Sequence, residues 1–112
     1  MYYIDQLLDL CLSKHIKISV AESCTSGLVA SILSSKSGSS SYFNGGIIAY
    51  NNDIKINLLN IEKELINNKT EVSEEVVAEM AKSACSIFKS DYSIATSGYA
   101  GPTGGDINNP IG

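Results

Sequence analysis

Hydrophobic positions along the chain switch between two periods, and the switches set the predicted elements. Ile4, Leu7, Leu8, Cys11 and Leu12 recur at helical spacing, which predicts a first amphipathic helix ending near Lys14. Ile16, Ile18 and Val20 then alternate as on a strand, and Leu28, Val29, Ile32 and Leu33 return to helical spacing. The stretch AESCTSG, residues 21–27, therefore lies where a strand hands over to a helix. KSGSSSYFNGG reads as a loop, followed by a short apolar strand, IIAY, at 47–50. Asn51 or Asn52 is placed to cap a helix with Asp53 in its first turn and Ile54, Leu58 and Leu59 facing inward. Residues 62–71 are polar and irregular, with room for one helical turn. Ser73 caps the clearest helix, where Glu74 and Glu75 complement the dipole and Val76, Val77, Met80, Ala81, Ala84, Ile87 and Phe88 form the apolar stripe. Tyr92 to Ala95 predicts a further strand, which runs into TSGYAGPTGGD.

This alternation predicts an α/β fold of the three-layer type, with a mixed or parallel sheet flanked by helices and three polar junctions at one edge of the strands. Strands near 16–21, 46–50 and 92–96 are expected in one sheet. At 112 residues and 44% hydrophobic, the chain can build one modest core, so residues 1–112 are read as one domain. The ending NNPIG follows a Gly-Pro-rich loop that ordinarily leads into another element, so the unit reads as C-terminally truncated. A sheet edge left open in this way leads to the expectation of a homo-oligomer.

Charge narrows the partners. Lys+Arg is 8 against Asp+Glu 12, for a net charge of -4, and all eight basic residues are lysine. Without arginine the chain lacks the best bidentate donor to phosphates and base edges, so direct nucleic-acid binding is not expected. Cys11, Cys24 and Cys85 are odd in number, with no CxxC, which fits a reducing cytoplasm better than a disulfide framework or zinc site. Asp5 and Asp9 occupy the start where a signal peptide is basic and apolar, and no run reaches the roughly 20 apolar residues that span a bilayer.

AESCTSG carries three side chains able to act as nucleophiles, Ser23, Cys24 and Thr25, in a place where Ser, Thr and Gly also simply make a turn. Free N–H groups at the following helix start attract anions. A cysteine nucleophile needs a histidine base, and the single histidine, His15, lies at the far end of the strand, so Cys24 is read as a packed core cysteine. Ser23 by itself reads as a helix N-cap, Lys55 as a solvated lysine, and Glu71, Glu74, Glu75 and Glu79 as a solvated face. Glu22 is placed either to orient Lys55 or to satisfy backbone amides. TSGYAGPTGG has glycines at 98, 101, 104 and 105, a composition suited to backbone lying against a ligand.

AESCTSG, GSSSYFNGGIIAYNNDIKINLL, VSEEVVAEMA and TSGYAGPTGG followed by PIG, in that order, resemble the C-terminal domain of the CinA family, which includes the bacterial nicotinamide-nucleotide amidases. The resemblance covers about residues 5–112. It implies an amidohydrolase that converts nicotinamide mononucleotide and water to nicotinate mononucleotide and ammonia, with no cofactor and no metal. The matching positions are Ser23 as nucleophile and Lys55 as base, with Ser40 and Tyr50 as accessory polar groups. Thr25, Ser97, Gly98, Gly101, Gly104 and Gly105 are the expected substrate-binding positions. The family commonly has glycine where this chain has Ser26 and an aliphatic residue where it has Tyr99. It also continues past PIG with a strand, a helix and an arginine implicated in the site. The alternative is a non-catalytic nucleotide- or partner-binding module of a competence/damage-inducible protein, since such domains also occur attached to a pyrophosphatase-like domain.

Overall fold

The computed structural model describes residues 2–112. Helix α1 (Tyr2–Lys14) leads to β1 (Ile18–Glu22) and then α2 (Leu28–Leu33). A 3-10 turn (Ser39–Ser41) enters β2 (Phe43–Ile48), followed by α3 (Asn52–Asn57), α4 (Lys63–Lys69), α5 (Glu74–Phe88) and β3 (Tyr92–Thr96). The three strands form one parallel sheet in the order β2-β1-β3. Parallel pairing needs crossovers, and the helices provide them on both faces.

Because successive strand residues point to opposite faces, β1 feeds two cores. Ile18 and Val20 pack with Ile4, Cys11, Leu33 and Tyr42 beneath α1 and α2. Ala21 faces the other way and packs with Leu59, Ile66, Val76, Met80 and Ala84 of the α3 to α5 side. All five β1 residues are buried, as suits a central parallel strand. The result is a three-layer α/β/α arrangement.

Most predicted elements are present, with differences that have physical reasons. The second strand starts earlier than IIAY, at Phe43, and takes in two glycines that composition assigns to a loop. A Cβ at Gly46 would come within 2.2 Å of Val20 Cγ2 and 2.9 Å of the Val20 carbonyl oxygen, so glycine is what lets β2 lie close to β1. Polar residues 63–69 form a true helix, α4, held by the burial of Ile66. Of the leucines expected inward after Asn51, Leu59 is buried as expected but Leu58 is exposed. Ser73 and Asn51 cap their helices as predicted, accepting from the Val76 and Asp53 amides at 3.2 and 2.8 Å.

Candidate active site

The C-terminal ends of the three strands meet one another. The Ser23 amide donates to the Thr96 carbonyl at 3.0 Å and the Ala49 amide to the Glu22 carbonyl at 2.7 Å, so the exits of β3, β1 and β2 are tied together. From there β1 continues into α2 on one face while its neighbour β2 continues into α3 on the other. Connections that part in this way leave a crevice at the strand ends, where ligands bind in open α/β sheets. Here it is a cleft of about 460 Å³.

Strand parity divides the work of the AESC junction. Glu22 points to the α2 face, where its Oε1 accepts from the amides of Gly27 (3.1 Å) and Val29 (2.9 Å) and its Oε2 from that of Ala30 (2.8 Å). Thr25 Oγ1 adds a fourth bond at 2.5 Å. Burial pushes this carboxyl up, but the bonds from Thr25, Ala30, Val29 and Gly27 outweigh it and hold Glu22 below its ordinary value. Of the two roles open to Glu22, the structure thus assigns the satisfaction of backbone amides. The helix-start N–H groups expected to attract a substrate anion are already engaged by this carboxylate. The N-cap position itself is Gly27, not Ser23.

Ser23 points the other way, into the cleft, and is 7% exposed. Facing it is Lys55, brought up from α3 by the Asn51 cap and buried at 1% exposure, so it is not the solvated lysine its sequence context suggests. Lys55 Nζ lies 3.3 Å from Ser23 Oγ and 3.5 Å from both the Tyr50 carbonyl and Asn52 Oδ1. Burial lowers the Lys55 pKa, while electrostatic interactions with Glu71 and Cys24 raise it, and burial prevails. No carboxylate among the described residues lies within ion-pair distance of it.

The cleft is completed by Tyr50, whose side chain is largely exposed, and by Ser97, Gly98 and Gly101 of the glycine loop. Other expected site residues fall elsewhere. Ser40 is exposed in the 3-10 turn before β2, at the opposite end of the sheet, where the neighbouring Tyr42 carbonyl accepts from the first residue of β1, Ile18. Thr25 does not line the cleft; its hydroxyl bridges Glu22 and Thr96 Oγ1 (2.7 Å) beneath the turn. Gly104 and Gly105 do not line the cleft; a Cβ at either would press on Tyr99 (3.3 Å) or Ile111 (3.0 Å). Cys24 is half-buried and lines the cleft, so the packed core cysteine is Cys11. Glu71 also lines the cleft and is no part of a solvated helix face. Its neighbours in sequence are exposed helix glutamates, which hid it.

A three-layer α/β domain with a buried lysine against a serine at the strand ends is the class these features define. The chain belongs to the CinA C-terminal domain family, whose model matches residues 3–112. It is 44% identical over 108 residues to a CinA-like protein of Pseudothermotoga lettingae, covering 96% of this chain and 27% of that one. With a CinA-like protein of Shewanella halifaxensis it shares 44% identity over 112 residues, which is 26% of that relative's length. The chain thus spans about a quarter of the length of these relatives. Among solved structures, the competence/damage-inducible protein CihA of Agrobacterium tumefaciens superposes with a TM-score of 0.94 at 30% identity, covering 96% of this chain and 66% of that one. Competence damage-inducible protein A of Klebsiella pneumoniae gives 0.93 at 29%, covering 97% and 68%.

Proposed function

We propose that this domain hydrolyses the amide of a nicotinamide nucleotide, with Ser23 as nucleophile and Lys55 as its base. The observation that carries the reading is the buried Lys55 Nζ at 3.3 Å from Ser23 Oγ. An ammonium in that position donates to the serine; a neutral amine accepts its proton. Burial favours the neutral form. As Ser23 Oγ bonds to the amide carbon, Lys55 takes the hydroxyl proton and then passes it to the departing nitrogen, which leaves as ammonia. Water attacks the resulting ester and gives one proton to the neutral Lys55, which passes it to Ser23 Oγ as the ester C–O bond breaks, and the acid product departs as a carboxylate with its remaining proton released to solvent. No histidine is required.

A second reading, a nucleotide-binding module, draws on the Glu71 charge, which favours the ammonium form of Lys55 and so an anion-binding lysine. The two differ in turnover. Ammonia release from nicotinamide mononucleotide is expected from the protein, abolished by Ser23→Ala and by Lys55→Ala, with the double variant scarcely worse because the two act as a unit. Cys24→Ala is expected to keep turnover. Retained hydrolysis in Ser23→Ala would exclude the mechanism; binding without ammonia release in the unmodified protein would favour the module.

A further inference from the structure

Glu71 is clamped to the glycine loop at two points. Its carbonyl accepts from Ser97 Oγ at 2.7 Å and its carboxylate from Tyr99 Oη at 3.1 Å. The Glu71 bond pushes the Tyr99 phenol up, so Tyr99 stays a donor. Among the described residues lining the cleft, Lys55 and Glu71 are the charged ones, and they do not form an ion pair. A carboxylate held by a phenol instead of a cation keeps its negative charge available to whatever enters. It repels a phosphate placed against this part of the loop and attracts a cation. Two tyrosines line the same cleft. Tyr99 lines the cleft with Gly104 behind it, where a Cβ would lie 3.3 Å from the ring, and the Tyr50 side chain is 70% exposed at the rim. Aromatic faces beside a carboxylate suit a delocalised organic cation.

We propose that Glu71, steadied by Tyr99, is a specificity-determining residue that selects amides carried on a cationic, N-substituted pyridinium ring over the same amide on an uncharged ring, and that directs the substrate's phosphate away from Glu71. The inference rests on the amidase reading for the identity of the amide, but it is a statement about charge selection. The two can fail separately.

The test compares nicotinamide mononucleotide with its dihydro form, which has nearly the same shape and no ring charge. Dissociation constants are measured by titration calorimetry in a Ser23→Ala background, where neither ligand turns over, with and without Glu71→Gln and Tyr99→Phe. Glu71→Gln should lower the preference for the cationic ligand about tenfold, the equivalent of one charge-assisted contact, with little change for the neutral one. Tyr99→Phe should move the ratio the same way by less, and serves as the informative variant if Glu71→Gln fails to fold. Equal weakening of both ligands, or an unchanged ratio, overturns the proposal. Loss of the ratio in Glu71→Gln, in a protein whose Ser23 form releases no ammonia, sinks the amidase reading and leaves the charge selection standing.

Discussion

Lys55 is held where a lysine is energetically awkward, and that awkwardness has two measurable consequences. Its folded pKa is lowered by burial, against opposing pulls from Glu71 and Cys24. The neutral amine is the active base, so kcat/KM should climb with pH through the lowered Lys55 pKa and level off below the ordinary lysine value. The Glu71 charge favours the ammonium, so Glu71→Gln should move the climb to lower pH. The stability sign follows from linkage: between the folded and unfolded Lys55 pKa the unfolded chain binds more protons, so stability rises with pH across that window. Lys55→Met should therefore be inactive yet at least as stable as the parent at neutral pH, because it removes a buried ionisable group that folding disfavours in its charged form and keeps the volume. Denaturant titration of both proteins checks this; a strongly destabilised Lys55→Met would mean that the lysine is held by favourable contacts after all.

At the scale of elements, the turn between β1 and α2 depends on one carboxylate. Helix α2 has six residues, too few to stand on its own propensity, and its first amides end on Glu22. Glu22→Gln replaces an acceptor with an amide group that opposes those N–H donors and should cost about 1–3 kcal/mol. Glu22 has a depressed folded pKa, so its contribution is present above the unfolded carboxylate range and lost as pH falls through the folded value. The stability gap between parent and Glu22→Gln should narrow in acid; a gap independent of pH would show that the charge is not what matters. Ser26 in the same turn adopts φ 50, a left-handed conformation that a glycine adopts more easily. Periodicity made the helices legible because α1 and α5 each bury one stripe. It placed the second strand at IIAY but could not reveal the first half of β2, whose Gly46 matters through a contact with Val20, nor the division between Glu22 and Ser23, which depends on strand parity once the register is known. The burial of Lys55 was legible only through the family resemblance, since Ile54 and Ile56 permit it without requiring it. Glu71 and Cys24 were misplaced because their cleft positions are set by long-range packing between the start of α5, the glycine loop and β1.

Across the whole molecule, the cleft is assembled from residues distant in the chain: Ser23 after β1, Lys55 on α3, Glu71 before α5 and Ser97 after β3. These segments are neighbours only when the sheet order β2-β1-β3 is intact. A ligand touching several of them binds the folded state and has nothing equivalent to bind in the unfolded chain, so its binding energy adds to global stability. At a ligand concentration 100-fold above the dissociation constant the gain is about 2.7 kcal/mol. For a domain near 100 residues that corresponds to a rise in Tm of roughly 10 °C. Nicotinamide mononucleotide should produce such a rise in a Ser23→Ala protein, whereas a DNA duplex should produce none, because the net charge is -4 and no arginine is available for phosphate. Scanning calorimetry in low salt, where electrostatic binding is strongest, gives the stricter comparison. A larger shift with the duplex than with the mononucleotide would relocate the function of this domain to nucleic acid, and no shift with either would mean that the cleft does not take a nucleotide.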